Sequence, residues 1–203
     1  YELRVPLVVQ ACLACKLSQP THVVPKEILY TDYVYYSGIS KAWHTHCAEL
    51  ADAYARRDQF VVDIASNDGT LLTAFRERGC RTLGVDPAVN FATCNYPLVG
   101  AYWSSAVAAR DDIQGCVDVL TATNVLGHVD DVHDFMKAVC IALAPDGQFV
   151  VEMPYVWDML ESLTFDTVYH EHLSYWSLTA LKHLADQHGL VVRDVRQFPV
   201  HGG

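Results

Sequence analysis

Between Asp166 and Trp176 the chain reads "DTVYHEHLSYW", which brings Tyr169, His170, Glu171, His172 and Tyr175 into one short run. Side chains of these types ligate metals, move protons or decorate a polar loop. H-E-H offers two imidazoles at i, i+2 and a carboxylate. A helical zinc protease instead needs H-E-x-x-H, which puts both histidines on one face. That spacing is absent, so proton transfer is the sharper reading. Imidazole titrates near neutrality, and a tyrosine hydroxyl or an imidazolium N–H can hold an oxyanion. In an extended segment His170 faces away from Glu171 and toward the side of His172.

The elements that must carry this run follow from the pattern upstream. The first ~30 residues read as a strand, "RVPLVVQACLAC", and a loop with Pro20 and Pro25. The aromatic stretch "YTDYVYYSG" follows, and then a helix from about Lys41 to Arg57, with Trp43, Cys47, Leu50, Ala51 and Tyr54 at helical spacing. From Phe60 strands and helices alternate. "FVVDIAS" is a buried strand, "TLLTAFRERG" a helix closed by Gly79, "RTLGVDP" a second strand and "YPLVGAYW" a third. "CVDVLTATNV" is a fourth, "VHDFMKAVCIALAPDG" a helix ending in Pro145 and Gly147, and "QFVVEMP" a fifth. After an insertion holding the Y-H-E-H run come the helix "SLTALKHLADQHG" and a sixth strand, Leu190 to Phe198. Alternation of this kind predicts an α/β fold with a mostly parallel sheet covered by helices on both faces. Ligands of such sheets bind outside the carboxyl ends of the strands.

At the first of those ends stands "VDIASNDGTLL", a strand–loop–helix with a small-residue loop. Only Gly69 is glycine, so the G-x-G-x-x-G dinucleotide fingerprint is absent. Asp68 would repel a pyrophosphate where bare N–H groups are needed. Acids suit a cofactor that carries positive charge, and S-adenosylmethionine has an ammonium and a sulfonium. Asp63, Ala65, Ser66, Asn67, Asp68 and Gly69 form the expected cofactor loop. Asp86, followed by Pro87, closes the second strand at about the 20-residue spacing of a ribose-hydroxyl acceptor. The plainer alternative is that Asp63 and Asp68 cap the helix. Asn124 and His128 end the fourth strand and belong to the same cleft.

The chain has 203 residues, 51% of them hydrophobic, enough for one medium domain and a small appendage. Its net charge of −10, from 24 acids and 14 bases, argues against a nucleic-acid surface. No apolar run reaches membrane-spanning length. Seven cysteines, five of them scattered among apolar neighbours, fit reduced thiols in a cytoplasmic protein. A chain that starts at Tyr1 without Met and stops at Gly202-Gly203 reads as a piece of a longer protein.

"IASNDG", "NVLGHVDD", "FDTVYHEHLSYWSL" and the terminal "HGG" together resemble the S-adenosylmethionine-dependent deoxysugar C-methyltransferases of antibiotic pathways. The resemblance runs along nearly the whole chain. It implies a Rossmann-like class I methyltransferase sheet at residues 59–203, preceded by a linker and helix at 31–58 and by the remnant of a zinc-binding domain at 1–30. Cys12 and Cys15 look like the second C-x-x-C of that zinc domain; the first is missing, and His22, His44 and His46 lack zinc-finger spacing. The expectation is therefore zinc only in the full-length protein. Such folds also place an antiparallel seventh strand between the fifth and sixth, and here it is expected to be truncated, leaving exposed edges.

The resemblance further implies a nucleotide-linked keto-deoxysugar as substrate. His172 is expected to be the general base that removes a proton next to the ketone. Glu171 would orient an imidazole or bind a sugar hydroxyl, and Tyr169 would position the sugar or donate to the oxyanion. His128, His170, His201 and one of Tyr35 or Tyr36 complete the expected substrate pocket. Ala65 stands where such loops often carry glycine. Methyl transfer to oxygen or nitrogen, or a non-catalytic binding role, remain open on the residues alone.

Overall fold

The computed structural model describes residues 4–29, 36–88, 90 and 95–198. Its centre is a five-stranded sheet in the order β5-β4-β3-β6-β7, every neighbouring pair parallel. The strands are β3 (Phe60–Ile64), β4 (Arg81–Val85), β5 (Leu98–Val99), β6 (Val117–Thr123) and β7 (Leu143–Glu152). A small antiparallel hairpin, β1 (Val9–Ala11) and β2 (Ser18–Pro20), precedes them. The helices are α1 (Lys26–Leu29), α2 (Lys41–Tyr54), α3 (Thr70–Glu77), α4 (Ser105–Ala108), α5 (Val132–Ala142), α6 (Val156–Glu161) and α7 (Leu178–Gln187).

β3 is the central strand and is buried at every residue. That is why it reads as an unbroken apolar run rather than an alternation. Val61 turns toward α2 and α3, where it meets Trp43, Cys47, Leu50, Leu71 and Phe75. Phe60, Val62 and Ile64 turn to the other face, packed with Leu120, Ala122, Phe135, Val139 and Leu184. Large side chains buried in this way contribute roughly 1.5–3 kcal/mol each. β4 and β5 extend the sheet to one side of β3, β6 and β7 to the other. The strand order thus reverses between β3 and β6, and a crevice opens at their carboxyl ends.

The first expected strand shortens to Val9–Ala11, and the loop expected around Pro20 carries β2. Three elements around the main sheet differ as well. The helix expected to reach Gly147 stops at Ala142, and residues from Leu143 onward already belong to β7. The β6–β7 register slips between Val117 and Val119, and a Cβ on Gly147 would lie 2.5 Å from the Val117 carbonyl. Pro145, with no N–H to give to a ladder, and Gly147, with no side chain, suit that irregular stretch. The third strand shrinks to Leu98–Val99. Residues 190–198 are not a strand. A strand exists through its ladder, and among the described residues none runs beside this segment, while β7 pairs only with β6.

The hairpin is tied to the core. Tyr175 donates its N–H to the Ser18 carbonyl at 2.8 Å, and the His170 ring meets the Val5 carbonyl at 3.1 Å. Among the described residues no helix is long and apolar enough to cross a membrane.

Candidate active site

A cleft of about 490 Å³ lies at the reversal point between β3 and β6. One wall is the loop after β3. Ala65 (φ 54°), Asn67 (φ 50°) and Gly69 (φ 78°) all take the left-handed conformation, so the chain turns tightly before entering α3. Gly69 takes it without steric cost and Asn67 at little cost, and Ala65 is the residue least suited to it. The missing side chain of Gly69 also admits Tyr96, whose ring would lie 2.5 Å from a Cβ there. The Tyr96 hydroxyl donates to the Asn67 carbonyl and pins the loop from behind.

The three expected acids do different work. Asp63, at the end of β3, is wholly buried and accepts a 2.6 Å bond from the Thr121 hydroxyl on β6. Burial pushes its carboxyl up to about 7, and the charge of Asp86 adds to the rise. Asp86 accepts from the backbone N–H groups of Asn67 and Ala88, both at 2.9 Å, and burial raises it as well. Asp68 is the structural acid. It accepts from Thr70 N–H at 3.2 Å and the Thr70 hydroxyl at 2.7 Å, which starts α3. Its other oxygen takes the Gly38 N–H at 2.7 Å, while Asn67 Oδ1 takes the Ser37 N–H at 3.1 Å. Both loop side chains therefore clamp residues 37–38 over this end of the cleft. Neither acid is the N-cap of α3, which is Gly69, though Asp68 holds the first helical residue Thr70 and Asp63 does not touch the helix start.

Asp63, Ala65, Ser66, Asn67, Asp68, Asp86, Pro87 and Asn124 all line the cleft. Asn124 is left-handed (φ 56°) and donates its N–H to the Glu152 carbonyl at 2.7 Å. Gly69 stands behind the lining as the residue preceding α3.

The opposite wall is the Y-H-E-H segment. It does not run extended. His172 N–H bonds back to the Tyr169 carbonyl at 3.1 Å, closing a turn. The N–H groups of Leu173 and Ser174 both converge on the Gly127 carbonyl, at 2.7 and 3.1 Å. The segment is thus bolted to the loop after β6. His172 donates Nδ1–H to the Thr167 carbonyl at 2.7 Å, which leaves Nε2 as the basic nitrogen. The Tyr169 hydroxyl stands 3.0 Å from that Nε2. His128 donates Nδ1–H to the Glu171 carbonyl at 2.8 Å, and its ring lies 4.8 Å from that of His172.

Burial lowers His172 below its ordinary value, against the opposing pull of the Thr167 carbonyl and Glu171. Burial also lowers His128, to about 4, with the nearby His172 adding to the shift. Both rings are therefore neutral at pH 7. Tyr169 is raised by burial and by Glu171, so it keeps its proton.

His128, Tyr169 and His172 line the cleft. His170 does not: the turn sends its ring toward Val5, away from His172, because an extended alternation no longer applies. Glu171 meets the site through its carbonyl rather than as part of the lining. The Tyr36 hydroxyl accepts from Asn90 at 3.3 Å, beside the loop after β4, and Tyr36 is not part of the lining. Tyr35 and His201 lie outside the described residues. Cys12 and Cys15 sit in the turn of the β1–β2 hairpin, both as free thiols. Two thiolates are half of a structural zinc set, and among the described residues no three metal-binding side chains converge. These residues by themselves do not fit a closed zinc site.

Sequence reasoning missed several residues of the lining. Trp43 of α2 and Tyr102 and Trp103 after β5 all face the cleft. Lys26 reaches it from the N-terminal segment, paired with Asp130 at 3.0 Å and lying 5.0 Å above the Tyr102 ring. The strand-end rule points to Tyr102 and Trp103, which follow the third strand. Nothing local announces Lys26.

A family model described as a methyltransferase domain matches residues 38–195. Over 208 residues the chain is 35% identical to the C-methyltransferase NovU of Streptomyces niveus, covering 98% of this chain and 50% of that protein. The chain therefore spans about half the length of the curated relative it matches. The structure of YcgJ from Bacillus subtilis is similar with a TM-score of 0.61 at 20% identity, over 75% of this chain and 71% of the other. A SAM dependent methyltransferase from Archaeoglobus fulgidus gives 0.63 at 16% identity, over 74% and 69%.

Proposed function

The chain belongs to the methyltransferase-domain family and carries its Rossmann-like class I sheet; on that premise we propose that it methylates a carbon next to the ketone of a nucleotide-linked keto-deoxysugar, with S-adenosylmethionine as methyl donor. The observation that carries this reading is the His172 tautomer. With Nδ1–H given to Thr167, the basic lone pair is on Nε2, where it accepts from the Tyr169 hydroxyl on the cleft wall.

The cleft suits the cofactor chemically. Asp63 and Asp86 are acids buried at the carboxyl ends of β3 and β4, and both stand in the cleft lining. Asp63 would hold the ammonium and Asp86 a ribose hydroxyl. S-adenosylmethionine, when bound, supplies a methyl group made electrophilic by its sulfonium.

The chain's own work is the proton. His172 Nε2 takes the proton from the substrate carbon, and the electron pair of the broken C–H bond passes into the enolate. The imidazolium that forms keeps its Nδ1–H on the Thr167 carbonyl, which favours the charged ring as it appears. Tyr169, protonated and at hydrogen-bond reach of the same nitrogen, turns its hydroxyl to the enolate oxygen. His128, neutral and held by the Glu171 carbonyl, accepts from a sugar hydroxyl. The 35% identity to a C-methyltransferase supports carbon as the acceptor.

His172→Asn should abolish methyl transfer to a nucleotide-linked keto-deoxysugar while changing S-adenosylhomocysteine affinity less than about threefold. In D₂O without cofactor, the wild type should exchange the proton next to the ketone and the variant should not. Retained turnover in the variant would remove His172 from the base role. Methyl transfer by the wild type without such exchange would point to oxygen or nitrogen as the acceptor instead.

A further inference from the structure

Asn67 carries the turn of the loop after β3 at φ 50°. Asparagine tolerates the left-handed region without requiring it, so its partners hold it there. Its N–H goes to the Asp86 carboxylate at 2.9 Å, and its Oδ1 takes the N–H groups of Ser37 at 3.1 Å and Asp68 at 2.9 Å. Its carbonyl accepts from the hydroxyl of Tyr96, a residue outside both the loop and the cleft lining. That hydroxyl also stands 3.2 Å from Oγ of Ser66, the neighbour of Asn67 in the loop.

Tyr96 precedes β5 by two residues, and its ring fills a socket that two glycines leave open. A Cβ on Gly69, just ahead of α3, or on Gly84, within β4, would lie 2.5 Å from the ring. The socket aims the phenol at the Asn67 carbonyl. Tyr96 thus fixes one side of Asn67, while the N–H on the other side meets Asp86. Asp86 is buried just after β4, and the N–H groups of Asn67 and Ala88 orient its carboxylate. A shift of Asn67 that draws its N–H away leaves that carboxylate free to turn.

We propose that Tyr96 is a positioning residue for the cofactor's ribose: through Asn67 it holds Asp86 where a ribose hydroxyl donates to it. The proposal rests on the cofactor reading above, in which Asp86 takes that hydroxyl.

Tyr96→Phe keeps the ring in its socket and removes only the hydroxyl. Titration calorimetry then compares S-adenosylhomocysteine with its dideoxy analogue, which lacks both ribose hydroxyls. The wild type should bind the parent compound about tenfold or more tightly than the analogue. The variant should lose about tenfold on the parent and nothing on the analogue. A tyrosine that only supports the fold would weaken both ligands alike, and one without a role would weaken neither; either result would overturn the proposal. Hydrogen exchange on the wild type gives a second readout, which holds even where the variant fails to fold. The Asn67 N–H should be protected before any cofactor is added, and a freely exchanging N–H there would also overturn the proposal. Equal affinity of the wild type for parent and analogue would remove Asp86 from the ribose, and this role of Tyr96 with it. No binding of S-adenosylhomocysteine by the wild type would overturn the cofactor reading itself.

Discussion

The hydroxyl of Tyr169 stands 3.0 Å from Nε2 of His172, and the two rings lie 4.2 Å apart between centroids. The pair is held from outside itself: Thr167 fixes the tautomer of the imidazole, and burial keeps the phenol protonated. A base and a donor thus share one short turn, and each is in the state its role requires.

This pairing sets a pH dependence. Burial lowers His172 from its ordinary 6.5, so the ring loses its proton earlier as pH rises. The neutral ring is the active one. With S-adenosylmethionine saturating, the acid limb of kcat/KM for the sugar substrate, which reports groups of the cofactor-loaded protein free of sugar, should rise with pH and level off with a midpoint below 6.5. A midpoint above 7 would contradict His172 as the base.

Asp63 makes the opposite prediction for binding. Its carboxyl is raised from 3.8 to about 7, so near neutrality the free protein holds a proton that the unfolded chain has lost. Stability contributed by this site therefore falls as pH rises from about 4 to 7, the reverse of the usual carboxylate case. A cationic cofactor needs the ionised form. Its affinity should climb as pH passes through 7, with proton release that calorimetry detects as a dependence on buffer ionisation enthalpy. Asp63→Asn should flatten the pH dependence and weaken binding about tenfold or more. An affinity independent of pH between 6 and 8 would remove Asp63 from the site.

Ala65 carries strain without evident need. At φ 54° its Cβ crowds the backbone, where a glycine would not. Ala65→Gly should raise stability by about 0.5–1 kcal/mol, or a melting temperature higher by about 1–4 °C for a chain of this size. It should also leave S-adenosylhomocysteine affinity unchanged or better, since the residue faces the cleft. A lower melting temperature would mean that the methyl group makes contacts worth more than the strain.

How much of this was open to the sequence differs between elements. The buried run of β3 and the helical spacing of Trp43, Cys47, Leu50 and Ala51 in α2 were legible because each is a pattern between neighbours along the chain. The strand-end rule then located Asp63, Asp86, Asn124 and His128 on one cleft. The Y-H-E-H run was visible as chemistry through residue type alone.

Other features depend on partners far away in the chain. His170 turns from the cleft because the segment folds into a turn, with Leu173 and Ser174 bonded to Gly127 and His170 itself to Val5. No periodicity within the segment encodes those bonds. Asp63 and Asp68 look alike in "VDIASNDG", and only the Thr121 hydroxyl on β6 and the Gly38 N–H before α2 set the different partners of the two acids. Residues 190–198 have the composition of a strand, but a strand is a relation between two segments. The residue types and local patterns were decided by the sequence. Which acid is buried, which histidine faces the cleft and which segment joins the sheet were decided by hydrogen bonds whose partners only the assembled fold brings together.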